Sequence, residues 1–233
     1  MSEKFSQEVL KKNRNVSDSL STSGIGLKNH KELCMYTLYQ YPSSGNCYKI
    51  RLLMSHLGQE YNAVTVDILN KASRTEGFLK INPNGRVPVL QIDDQFLPES
   101  NAALWYLAEG TPFIPDDRFQ RAQVLQWMFF EQYSHEPYIA TVRFWISILK
   151  DKSGNQEQID KRMPQGYAAL DVMEKHLAEH DYFVADRYSI ADIALYAYTH
   201  VAEESEFDLS RYPNITNWFK RIEAQPGYIS ISA

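Results

Sequence analysis

The chain has 233 residues, enough for two ordinary domains, and an apolar fraction of 44% with 15 Tyr, 11 Phe and 4 Trp supplies cores and leaves aromatic side chains to line a pocket. A net charge of −5, with acidic and basic residues interspersed, offers no footprint for phosphate backbones, so nucleic-acid binding is excluded. Two cysteines, Cys34 and Cys47, are too few for a disulfide framework, and no apolar run approaches the roughly 20 residues of a membrane helix, so we expect a soluble cytoplasmic protein with no membrane partner.

Residues 1–33 are Ser-, Asn- and Lys-rich with sparse apolar residues, which predicts a mobile extension carrying at most a short helix near Phe5–Leu10, with no function assigned to it. From Leu33 the pattern changes to CMYTLYQY, a strand rich in aromatic and β-branched residues, closed by the turn residues Pro42 to Gly45. A helix follows, with Ile50, Leu52, Leu53, Met54 and Leu57 on its buried stripe and Gly58 at its C-terminal end. YNAVTVDIL alternates as a second strand, a short helix covers Thr75–Lys80, and INPNGRVPVLQID leads into a third strand. A fourth strand near Gln95–Leu97 and a helix over Glu99–Ala108 complete the order βαβαββα.

Beyond the loop GTPFIPDD the sequence is helical, in stretches near 117–150, 157–179, 189–204 and 214–224. In the third, Ile190, Ile193, Ala194, Ala197, Tyr198 and Val201 fall on one face, and Ser189 with Asp192 forms a capping box at its start. The fold class is therefore α+β, a mixed strand–helix half followed by an all-helical half.

Three segments carry candidate chemistry. In YPSSGNCYKIR, Ser44 stands where a strand gives way to a helix, and the free amides and positive helix end there favour an anion such as a thiolate; the plainer reading is an N-cap alone. In NPNGRVPVL, a proline at the first residues of a buried strand, if cis, turns the backbone of Val87 outward to pair with a peptide; if trans, it marks an edge. Glu99 and Ser100 open a helix where they suit a ligand bearing an ammonium and a carboxylate on one carbon, or serve simply as a capped acidic first turn. No repeated His or Cys spacing suggests a metal, and His135 beside Glu136 reads as a surface pair.

Together PSSGNCYKIRLLMSHLG, FLKINPNGRVPVLQID, LPESNAALWYLAEG and YSIADIALYAY, in this order and spacing, resemble the glutathione transferase superfamily over about residues 35–228. The resemblance implies a thioredoxin-like domain over 34–110, a linker over 111–117 and an all-α domain over 118–233 lining a second-substrate site, usually in a homodimer. It implies glutathione as co-substrate, with no other cofactor, and a small apolar electrophile as the second substrate. Ser44 would donate to the glutathione thiolate as in serine-type classes, with Asn46 assisting as in bacterial relatives; Ser43 is the adjacent alternative. Val87, ahead of Pro88, would pair with the cysteinyl backbone, Glu99 and Ser100 would take the γ-glutamyl end, and Arg86 or Lys71 the glycine carboxylate. Tyrosine-type catalysis does not fit, because Gln40 occupies that register, with Tyr39 and Tyr41 on the other face. Cys47 takes the place of the second cysteine of a CxxC pair and reads as a small buried residue.

In the helix that would face the thiol, Phe130, Tyr133 and Pro137 lie at i, i+3 and i+7, Pro137 is expected to bend the helix toward the cleft, and Arg143 to reach the same cavity. Conjugation is the leading activity; glutathione-dependent reduction of peroxides or disulfides, and a non-catalytic binding protein of the same fold, are the alternatives.

Overall fold

Strand β1 (Tyr36–Gln40) is the centre of the architecture in the computed structural model, which describes residues 36–233. The extension expected over 1–33 and Cys34 lie outside the described residues. β1 runs parallel to β2 (Asn62–Thr65) and antiparallel to β3 (Val89–Ile92), which pairs antiparallel with β4 (Gln95–Pro98), so the strand order is β2-β1-β3-β4. Alternation along β1 sends Leu38 to one face and Tyr39 to the other. Leu38 joins Leu90 beneath helices α1 (Gly45–Leu57) and α3 (Ser100–Ala108), whereas Tyr39 packs with Val66, Phe78 and Val89 beneath the short helix α2 (Glu76–Ile81). The sheet is thus covered on both faces, as a mixed sheet with a buried centre requires.

The element order matches βαβαββα. Helix α1 ends at Gly58, whose left-handed φ of 61° lets the Gln59 amide reach back to the Met54 carbonyl at 2.8 Å. The remaining chain is helical: α4 (Arg118–Phe130), α5 (Glu136–Arg143), α6 (Gln156–Leu177), α7 (Ile190–Thr199) and α8 (Pro213–Glu223). Every residue of α7 is buried, which makes it the axis of the helical half; α1, α3, α4 and α5 all pack on it.

The long helix expected over 117–150 is divided. Pro137 has no amide hydrogen and its ring crowds the carbonyl of Tyr133, and the chain accommodates this with a π-helical segment, Glu131–His135, before α5 resumes; a second π segment, Phe144–Ile148, follows. The wide turn carries the buried stripe through Trp127, Glu131, His135, Ile139 and Val142. That corrects two expectations. Phe130 packs edge-on against Trp127 while Tyr133 points outward at 83% exposure, so Phe130, Tyr133 and Pro137 do not share a face. His135 is fully buried rather than part of a surface pair.

The start of α7 is built as the sequence predicts. The Ser189 hydroxyl accepts from the Ala191 amide at 3.3 Å, and Asp192 accepts from the Ser189 amide at 2.9 Å. Asp192 also accepts from the Phe183 amide at 3.1 Å and the Trp218 indole at 3.0 Å, so one buried carboxylate ties α7 to its preceding loop and to α8. We expect Ser189→Ala to cost about 1 kcal/mol. Asp192→Ala, which strands four buried donors once the Ser189 hydroxyl is included, should cost about 3 kcal/mol. Denaturant midpoints at constant m-value read both, and equal losses would show that the cap alone matters at this position.

Candidate functional site

The turn between β1 and α1 is closed by the Ser44 amide donating to the Tyr41 carbonyl at 2.9 Å. Ser44 then caps α1, its hydroxyl accepting from the Cys47 amide at 3.3 Å. A β-carbon at Gly45 would lie 2.7 Å from the Tyr198 ring and 2.8 Å from the Ala197 carbonyl, so only glycine lets α7 press this closely on the head of α1. That approach places the Tyr198 hydroxyl 3.3 Å from the Asn46 amide, on the wall of the cavity that Ser44 also lines. Two arginines hold the turn's carbonyls. Arg51 donates to Pro42 O at 2.8 Å and to Ile231 O at 2.7 Å, and Arg143 donates to Ser43 O at 2.6 Å while pairing with Glu204 at 2.8 Å.

Asn46 links three elements. Its Nδ2 donates to Glu136 Oε1 on α5 at 2.9 Å, and its Oδ1 accepts from the Ser100 hydroxyl on α3 at 3.1 Å. Beneath it Lys49 and Glu131, both fully buried, form an ion pair at 2.9 Å; Lys49 also reaches Asn101 Oδ1 at 3.3 Å and Glu131 accepts from Asn101 Nδ2 at 3.1 Å. Burial pushes the Glu136 carboxyl up, with Glu131 adding to the rise and Lys49 opposing it.

Two adjoining cavities open here. The larger, about 550 Å³, is lined by Ser43, Ser44, Asn46, Lys71, Arg86, Val87 and Arg143, with Tyr41, Ile68, Ala140, Phe144, Ile148 and Tyr198 as its apolar walls. The smaller, about 320 Å³, is lined by Arg86, Val87, Pro88, Glu99, Ser100 and Pro137, with Gln132, Thr141 and Arg162. Asn46, Arg86, Val87, Glu136 and Thr141 belong to both. The Val87–Pro88 bond is cis, the first of the two alternatives the sequence left open. Glu99 holds φ at 71°, a region an L-residue enters at a cost and one that concentrates at binding sites.

Every glutathione-site residue expected from the sequence therefore borders one or both cavities, with Ser43 beside Ser44. Ser100 does so with its hydroxyl engaged to Asn46, and the Arg143 guanidinium is occupied by Ser43 O and Glu204. Phe130 and Tyr133 border neither cavity, and Phe144, Ile148, Ile68 and Ala140 supply the apolar wall instead. Tyr39 is turned away, donating to Gln91 at 3.0 Å, whereas Tyr41, one residue beyond the strand, does line the larger cavity. Cys47 is fully buried, its sulfur accepting from the Tyr41 amide at 3.4 Å, and burial pushes its thiol up to about 11. The polar members Lys49, Glu131, Gln132 and Glu136, and the Tyr198 hydroxyl, were not anticipated. The i, i+4, i+8, i+12 spacing of Trp127, Glu131, His135 and Ile139 is the signal that marks two of the polar residues of this helix as inward-facing.

Comparison with known proteins agrees with this arrangement. Residues 35–109 match the family model for the glutathione S-transferase N-terminal domain, and 127–226 match that for the C-terminal domain. The chain belongs to the glutathione S-transferase family. A solved glutathione S-transferase from Pseudomonas fluorescens is 51% identical, with a TM-score of 0.83 over 85% of this chain and 99% of that one. Maleylacetoacetate isomerase of Rhizobium meliloti is 31% identical over 76% of this chain and 85% of its own length. The Escherichia coli disulfide-bond oxidoreductase YfcG is 28% identical over 82% and 92% respectively. No helix among the described residues is long and apolar enough to cross a membrane, and no group of His, Cys, Asp and Glu among them suits a metal ion.

The buried histidine beside this site makes the family member sensitive to acid. His135 Nε2 lies 2.8 Å from Thr199 Oγ1, whose own proton goes to Leu195 O at 2.6 Å, so Nε2 carries the imidazole hydrogen and Nδ1 has no partner. Burial, with Lys49 adding, pushes His135 down to about 3, and burial pushes His200 down to about 4. Both folded values lie below the unfolded one, so stability is full above about pH 6.5 and falls as acid protonates the unfolded chain first, by at most about 1.4 kcal/mol per pH unit for each histidine. Asp192, pushed up to about 6 by burial, works the other way below that pH. We expect His135→Gln to flatten the decline in unfolding free energy between pH 6.5 and 4; an unchanged slope would remove His135 as its source.

Proposed function

We propose that this protein is a serine-type glutathione S-transferase that conjugates the glutathione thiolate to small apolar electrophiles. The observation that carries the reading is the convergence of Ser44 at the head of α1, Val87 before a cis proline, and Glu99 with Ser100 at the head of α3 around adjoining cavities. In this reading the Ser44 hydroxyl donates to the sulfur, with Asn46 holding the neighbouring geometry. The Val87 backbone pairs with the cysteinyl unit, Glu99 accepts from the γ-glutamyl ammonium, Ser100 and the adjacent amides face its carboxylate, and Arg86, with Lys71 as the alternative, meets the glycine carboxylate. The electrophile occupies the wall formed by Ile68, Ala140, Phe144 and Ile148, with Arg143 at its margin and Pro137 on the adjoining smaller cavity. The thiolate attacks an electrophilic carbon there, a carbon–sulfur bond forms, and the leaving group departs with its electron pair. The domain division at 34–110, 111–117 and 118–233 and a reducing cytoplasmic setting belong to the same proposal.

Ser44→Ala should raise the pKa of the bound thiol by about 1 to 2 units, and so lower turnover at neutral pH by about 10- to 100-fold with little change in affinity. The deficit should shrink at alkaline pH, where the thiol ionises unaided. A pH–rate profile superimposable on wild type, or calorimetry with no glutathione binding at millimolar concentration, would overturn the reading. Similarity to a disulfide-bond oxidoreductase favours glutathione-dependent reduction as the second reading, and product analysis separates the two: conjugation yields a thioether, reduction yields oxidised glutathione.

The same reading includes a homodimer. Phe129 and Tyr133, 68% and 83% exposed, set two aromatic side chains four residues apart on the surface and offer a contact face for a partner. We expect Phe129→Asp with Tyr133→Asp to convert a dimer to a folded monomer in sedimentation velocity; an unchanged sedimentation coefficient would place the interface elsewhere.

A further inference from the structure

Glu136 occupies the seam of the two cavities, on the first turn of α5. Its Oε1 accepts from Asn46 at 2.9 Å and its Oε2 from the Gln132 side-chain amide. Asn46 lies two residues beyond Ser44, and Ser44, Asn46, Glu136 and the Tyr198 side chain line one cavity, so the carboxylate borders the same space that a thiol at Ser44 would enter.

The charges around the carboxylate act in both directions, Lys49 favouring the ionised form more than Glu131 opposes it, and burial outweighs both. Lys49, facing it from α1, is committed to Glu131 at 2.9 Å, and Glu131, facing it from the π segment, is negative. His135 on the same segment is neutral, held there by burial. Tyr198 from α7 and Cys47 from α1 are buried acids whose protons burial retains. Arg143, farther along α5, is paired with Glu204, while Arg86 and Arg162 stand on the cavity walls. Glu136, half-buried at the edge of the Lys49–Glu131 pair, thus carries a negative charge beyond that pair, and its burial favours the protonated form. A thiolate formed beside it would place two like charges in a poorly solvated site, which either keeps the thiol protonated or drives the carboxylate to take a proton.

Resting on the transferase reading above, we propose that Glu136 is the acceptor of the glutathione thiol proton. On binding, the S–H bond breaks, sulfur keeps the electron pair, and the proton forms an O–H bond on the Glu136 carboxylate. The site holds one negative charge before and after, first on oxygen and then on sulfur. The proton leaves to solvent when the conjugate departs and the carboxylate is restored. Ser44 and Glu136 divide the task, the hydroxyl stabilising the thiolate and the carboxylate receiving what the thiol loses.

The test counts protons. Glutathione is titrated into the protein at neutral pH by calorimetry in buffers of differing ionisation enthalpy, with thiolate formation read by ultraviolet absorbance. S-methylglutathione, which has no ionisable thiol, is the control ligand. The expected result is thiolate formation in the wild-type protein with little more proton release to buffer than S-methylglutathione produces, and release rising toward one proton per thiolate in Glu136→Gln. A full proton released per thiolate by the unmutated protein overturns the proposal whether or not the variant folds, as does a folded Glu136→Gln with the wild-type proton count. Absence of glutathione binding, or binding without thiolate, would instead overturn the transferase reading on which the proposal rests.

Discussion

The Lys49–Glu131 ion pair is the joint on which the site depends. Both side chains are fully buried, one on α1 and the other on the π segment, so the pair fixes the helix that carries Ser44 and Asn46 against the helix that carries Glu136. Taking two charges out of water is costly, and the pair need not raise stability above what an apolar contact would give. Its effect is orientation: with Asn101 bonded to both partners, α1, α3 and the helical half meet in one register. Removing either partner alone would strand a buried charge.

A second constraint acts on the turn itself. Pro42 O and Ser43 O are gripped by Arg51 and Arg143, which come from different halves of the fold, and Arg51 also fastens the chain near Ile231. A loop that would otherwise sample many conformations is reduced to one, so the entropy of placing Ser44 is met during folding rather than at each encounter with a ligand. Gly45 contributes from the third side, since the absent β-carbon is what lets Tyr198 lie against the helix head.

These constraints explain what was legible in the sequence. Strands β1 to β4, α1 with its Gly58 stop, and the Ser189–Asp192 cap follow from local periodicity and turn chemistry, and they appear in the predicted order. Ser44, Val87 and Glu99 were visible because each sits at a junction whose chemistry is local. Glu131 and His135 were not, because the π segment before Pro137 breaks the 3.6-residue period on which the choice of Phe130 and Tyr133 relied, and because the stripe it buries is polar. Lys49 and Glu136 depend on partners 82 and 90 residues away, a pairing no single segment announces.

In the proposed mechanism the contrast between Ser44 and Cys47 is one of burial. Both residues belong to the first turn of one helix, and both feel the same helix dipole, which favours a negative charge. A thiolate at Cys47 would also gain from Arg51 and from the Tyr41 amide, yet complete burial outweighs these and its thiol is pushed up to about 11. Ser44, at the N-cap three residues earlier, opens on the larger cavity, where in the proposed reading a ligand's sulfur would meet the same dipole. In the proposed reading the protein therefore stabilises a thiolate it does not own. The helix head supplies the field, the cavity admits the sulfur, and the buried cysteine beside them is left protonated and out of reach.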